Sequence, residues 1–116
     1  MLQYLPTPYS YSAAVKAGDF VFLGLHRGKG DTFDTQLKDA TKAMKKSLQE
    51  FDCDLDMLVK IEVYLKNIGD LGAMEIFFKD LFAEGRYPAR MTTTTEFHDS
   101  DCLVMLCGIA CADKDK

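Results

Sequence analysis

The sequence predicts an α+β two-layer sandwich, one β-sheet with two amphipathic helices on one face. Three observations predict it. Val59, Ile61, Val63 and Leu65 alternate with Lys60, Glu62, Tyr64 and Lys66, and a period of two belongs to a strand with one buried face. Two further stretches, 33–51 and 71–82, place apolar residues every three or four positions, the spacing that lines one side of a helix. A length of 116 residues with 47% hydrophobic content supports one ordinary core and not two, so residues 1–116 are expected to form a single domain.

Along the chain, residues 11–15 and 20–25 flank Lys16-Ala17-Gly18-Asp19, where glycine supplies the freedom a tight turn needs, and read as an opening hairpin. His26-Arg27-Gly28-Lys29-Gly30-Asp31 breaks the pattern, and Asp31 or Thr32 can cap the helix that follows. That helix carries Phe33, Leu37, Ala40, Met44, Leu48 and Phe51 on one face, with Lys38, Lys42, Lys45 and Lys46 on the other as a solvated surface. After the 59–65 strand, Asp70 can cap a second helix bearing Leu71, Met74, Phe77, Phe78, Leu81 and Phe82, with Gly85 placed to end it. Residues 91–97 and 103–112, joined by His98-Asp99-Ser100-Asp101, read as two closing strands. The expected order is β-β-α-β-α-β-β. The last strand is apolar on both faces, Val104, Leu106 and Ala110 against Met105, Cys107, Ile109 and Cys111. Helices can cover only one of them, so a homo-oligomer is expected.

Fourteen Lys and Arg against eighteen Asp and Glu give a formal charge of −4, which repels a phosphate backbone, so no nucleic acid is expected as partner. Residues 1–12 lack a basic start followed by an apolar run, and no stretch has the roughly 20 consecutive apolar residues of a membrane span. Cys53, Cys102, Cys107 and Cys111 contain no Cys-x-x-Cys pair, which fits reduced thiols and a cytoplasmic location. No spacing among them and His98 completes a four-ligand zinc set, so no metal is expected. Gly24 and Gly28-x-Gly30 lack the lysine-serine ending and strand-to-helix context of a phosphate loop.

Residues 11–22, Tyr11-Ser12-Ala13-Ala14-Val15-Lys16-Ala17-Gly18-Asp19-Phe20-Val21-Phe22, resemble the opening hairpin of the RidA (YjgF-type, endoribonuclease L-PSP-like) imine/enamine deaminase family. Tyr87-Pro88-Ala89-Arg90 resembles that family's aromatic-Pro-Ala-Arg signature, and 58–65 followed by Asp70-Leu71-Gly72-Ala73-Met74 its third strand and second helix. The similarity runs from about Tyr11 to Ala112 in the right order, with a shortened loop at 26–31. It implies a chorismate-mutase-like fold, a homotrimer around a barrel of sheets, and active sites in the clefts between subunits. It also implies a cofactor-free hydrolysis of reactive 2-imino or 2-enamino acids to 2-keto acids and ammonia.

Carried onto this sequence, the resemblance makes Arg90 the carboxylate-binding arginine, a role suited to a guanidinium that offers two parallel charge-assisted hydrogen bonds. A surface ion pair is the alternative. Tyr11 matches the active-site tyrosine; otherwise it is a packed strand aromatic. Gly24-Leu25-His26 stands where the family has Ser-Gly-Gln, which loses a hydroxyl and gains an imidazole able to move protons near neutral pH; the alternative for His26 is a loop histidine, and His98 reads as surface. Thr92 replaces the cysteine often found two residues after the arginine. Met105-Leu106-Cys107 replaces a Glu-x-Glu pattern whose first glutamate is thought to position the attacking water, and Met105 cannot relay a proton. Two other readings follow: a family member that binds a small carboxylate metabolite without turnover, and an endoribonuclease or translation inhibitor, which the acidic charge disfavours.

Overall fold

The computed structural model describes residues 1–112; the last four positions of the expected domain lie outside the described residues. Six strands, β1 (Leu2–Pro6), β2 (Ser12–Ala17), β3 (Phe20–Arg27), β4 (Leu58–Leu65), β5 (Ala89–Thr94) and β6 (Val104–Cys111), form one sheet in the order β1-β2-β3-β6-β4-β5. All neighbours are antiparallel except β4 and β5, which run parallel. Helix α1 (Phe33–Gln49) lies between β3 and β4 in sequence, and α2 (Leu71–Leu81) makes the β4-to-β5 crossover a parallel pair requires. The sandwich stands as expected, with one addition: β1 precedes the opening hairpin. Its Leu2 and Tyr4 lie largely exposed on the open face, so its sequence carries no buried stripe, and it is a strand because β2 pairs with it.

The core lies between the sheet and the helices. Val21, Leu23, Ile61, Val63, Leu65, Val104, Leu106 and Ala110 are buried against Leu37, Ala40, Met44 and Leu48 of α1 and Met74 and Phe78 of α2. Thr32 caps α1 by accepting from the Thr35 amide, with Thr35 returning the bond to the Thr32 backbone, a reciprocal box that satisfies two orphan donors. Asp70, expected to cap α2, does not: it sits in helical conformation at the end of a 3-10 turn, Ile68–Asp70, with no side-chain capping bond. Nor does Gly85 end α2, which stops at Leu81; Gly85 takes φ +79° in the turn beyond. Val59 departs from the expected alternation, because an irregularity between Leu58 and Lys60 buries Leu58 and leaves Val59 exposed.

Registers place Val15, Phe20, Phe22, Ile109 and Cys111 on the opposite side of the sheet, with Met105, Cys107 and Met91 further along it. No helix covers this side among the described residues. No helix there is long and apolar enough to cross a membrane.

Candidate functional site

Arg90 stands on β5, opposite Ile61 of β4. Pro88 just before this strand has no N–H to leave unpaired, which suits the entry to an edge strand. The Arg90 Nη2 lies 2.8 Å from Glu75 Oε1 on α2. Together they border a cavity of about 230 Å³ lined also by apolar Ile61, Phe78 and Phe82 and by Tyr87, Pro88 and Lys79. Phe78 and Phe82 are both buried, with ring centroids 5.9 Å apart, and so give the cavity a fixed floor.

Thr92, two residues on, faces the same side of β5, its hydroxyl 3.9 Å from the Met74 sulfur. The Thr95 amide donates to the Leu65 carbonyl at 3.0 Å. Bonding in a parallel ladder alternates along the strand, so the N–H groups of Arg90, Thr92 and Thr94 fall on the free edge of the sheet. The Arg90 guanidinium, paired with Glu75, and an edge amide two residues on therefore lie along the same edge strand.

Four sequence-predicted site residues are not brought to this cavity. His26 is buried on the helix side of β3, where Nδ1 meets the Gly24 carbonyl at 2.7 Å and Nε2 the Ser47 hydroxyl of α1 at 2.8 Å. Burial lowers its pKa below the ordinary value, and the bond to Gly24 only partly opposes this. Gly24 sits in the β3 irregularity between Leu23 and His26, close under the backbone of Ser12. Tyr11 is exposed beside β2 and stacks on Tyr9 at 6.1 Å between centroids. Between β2 and β5 lie β3, β6 and β4, and four strand spacings amount to about 19 Å. One copy of the chain cannot bring Tyr11 to Arg90. Met105 lies on the open face in register with Tyr64 and Arg27.

Sequence reasoning gave no role to two acidic residues. Glu62, on the open face opposite Cys107, accepts from the Cys107 thiol and the Tyr64 hydroxyl, each at 3.2 Å, and pairs with the Lys60 ammonium at 3.2 Å. These partners hold its carboxyl below the usual range, the Cys107 bond foremost, then Lys60. Burial, with the Glu62 bond, pushes the Cys107 thiol up to about 12, so it is no thiolate nucleophile at neutral pH. Glu75, the second, reads in sequence as half of an i,i+4 pair with Lys79 on a solvated helix face. Only the placement of α2 beside β5 turns that face toward Arg90.

The family described as endoribonuclease L-PSP matches residues 3–110. A RutC family protein of Pyrococcus abyssi is 30% identical over 108 residues, which span 86% of this chain and 84% of that protein. Among solved structures, a YjgF family member from Neisseria meningitidis has a TM-score of 0.90 at 26% identity, covering 96% of this chain and 94% of its own. RidA from the Antarctic bacterium Psychrobacter sp. PAMC 21119 shares the fold, with a TM-score of 0.83, 22% identity and 93% of each chain covered.

Proposed function

The chain belongs to the endoribonuclease L-PSP (YjgF/RidA) family, and from that premise we propose that it hydrolyses small 2-imino acids to 2-keto acids in clefts between subunits of a homotrimer. The observation that carries the proposal is the Arg90 cavity: a guanidinium already holding a carboxylate at 2.8 Å, over an apolar floor in a space of about 230 Å³, the scale of a small metabolite. In the reaction, water adds to the iminium carbon and the C–N bond breaks, giving the 2-keto acid and ammonium. Arg90 holds the substrate carboxylate with parallel charge-assisted hydrogen bonds, the free-edge amide of Thr92 adds a donor, and the reacting carbon is thereby fixed for attack. No cofactor enters.

The subunit arrangement is supported by two features. The open face presents exposed Phe20 and Phe22 beside half-buried Ile109 and Met105, an apolar surface of the kind a second copy covers. Tyr11 lies four strands from Arg90, so the two can share a cleft only across a subunit boundary. In this reading His26 is a buried tie between β3 and α1 and moves no proton.

A second reading, a carboxylate binder without turnover, is favoured by one feature: neither Met105 nor Cys107 supplies a carboxylate, and the Cys107 thiol stays protonated. One experiment separates the two. With 2-iminobutanoate generated in situ by a threonine dehydratase, the wild-type chain is expected to accelerate keto-acid formation and Arg90→Ala to lose at least tenfold, the scale of one lost charged hydrogen bond. No acceleration by wild type, with retained binding of 2-ketobutanoate, selects the binder.

A further inference from the structure

We propose that Glu75 makes the Arg90 cavity selective for ligands carrying a cationic nitrogen beside their carboxylate, an iminium or ammonium, over the corresponding 2-keto acids. The inference rests on the carboxylate-binding reading of Arg90 and adds the group that distinguishes substrate from product.

Glu75 Oε1 lies 2.8 Å from Arg90 Nη2, and both side chains border the same cavity. They are 48% and 34% exposed, so solvent screens the pair and its geometry is favoured by a factor of only about 2 to 5. A ligand carboxylate that takes both parallel bonds of the guanidinium displaces it. The displaced Glu75 remains on α2 within a few ångströms, and two carboxylates side by side repel.

What the ligand carries on the next carbon then decides the outcome. An iminium or ammonium nitrogen, one bond from the carboxylate-bearing carbon, places N–H donors and a positive charge toward Glu75 and satisfies it. A ketone oxygen offers neither, and leaves Glu75 facing a carboxylate and a carbonyl dipole. Lys79, one turn along α2 on the same cavity, attracts carboxylates of both kinds as a flexible point charge and does not discriminate between them. Exchange of nitrogen for oxygen at the reacting carbon thus converts a favoured ligand into a disfavoured one, and Glu75 reclaims Arg90 as the product leaves.

The test is calorimetric titration at low salt with 2-aminobutanoate, a stable zwitterion, and 2-ketobutanoate as probes. Wild type is expected to bind the amino acid roughly tenfold more tightly than the keto acid, the worth of one charge-assisted hydrogen bond. Glu75→Gln is expected to abolish that preference, while Glu84→Gln, which removes one negative charge outside the cavity lining, retains it. Arg90→Ala is expected to lose both ligands. An unchanged preference in Glu75→Gln, or an equal loss in Glu84→Gln, overturns the role of Glu75 and leaves Arg90 standing. Absence of binding by wild type, or undiminished binding by Arg90→Ala, overturns the Arg90 reading and this inference with it.

Discussion

His26 is held by two hydrogen bonds at 2.7 and 2.8 Å in a buried site, and burial favours its neutral form. The folded chain therefore binds fewer protons at this ring than the unfolded chain does. Its contribution to stability is complete above the unfolded value of about 6.5 and is lost as pH falls below it. The urea midpoint is expected to drop between pH 7.5 and pH 5.0, and His26→Gln to flatten that slope while lowering stability at pH 7.5. The depressed carboxyl of Glu62 acts in the same direction, but below its ordinary range near 4.5, so the window from 5 to 6.5 belongs to the histidine. An equal slope in wild type and variant would remove His26 from this role. In sequence His26 stands beside Gly24 and Leu25 and suggests an exposed loop; its determining partner, Ser47, is 21 positions away, beyond the reach of local pattern.

At the scale of elements, α1 is attached to the rest of the molecule by Gln36, 2% exposed on the helix's buried face. Its amide nitrogen donates to the carbonyls of Gly30 at 3.0 Å and Asp101 at 2.8 Å, and its oxygen accepts from the Leu103 amide at 2.8 Å. One side chain thus ties the loop before α1 to the β5–β6 connection. Gln36→Leu keeps most of the volume and strands three backbone groups, so chemical denaturation is expected to register a loss of about 3 kcal/mol. A loss under 1 kcal/mol would mean water replaces the bonds. Gly28 lets the adjoining loop lie close on α1: a Cβ there would lie 2.1 Å from the Gln36 carbonyl oxygen, so the chain passes against the helix where a side chain has no room. Periodicity located α1, β4 and α2 because each buries one stripe. It did not locate β1, whose exposed Leu2 and Tyr4 make no such stripe.

For the whole molecule, the decisive feature is a sheet with helices on one face and aromatic and aliphatic side chains on the other. Phe20 and Phe22 are 44% and 45% exposed there, in register with Cys111 and Ile109. The doubled variant Phe22→Asp, Ile109→Asp places charges on this face and leaves the helix-side core untouched. Sedimentation is expected to show an assembly for wild type and a monomer of 13.0 kDa for the variant, with loss of any activity that needs Tyr11 and Arg90 in one cleft. A monomeric wild type would sink the intersubunit site.

By itself the sequence determined most of the residues that face the helix side of the sheet, Val59 excepted, and that two helices cover it, because those facts follow from periods of 2 and 3.6 that each segment carries alone. It also determined, through the two-sided apolar character of 104–111, that the last strand carries an apolar face the helices leave uncovered, and the resemblance at Tyr87-Pro88-Ala89-Arg90 singled out one arginine. Only the tertiary structure decided what that arginine meets. Glu75 reaches Arg90 because the α2 crossover lays its polar face along the β5 edge; Ser47 takes His26 because α1 packs across β3; Glu62 meets Cys107 because β6 pairs with β4. These contacts join residues 15 to 45 positions apart, and a pairing of that kind is fixed by strand order and helix placement, which no local pattern encodes.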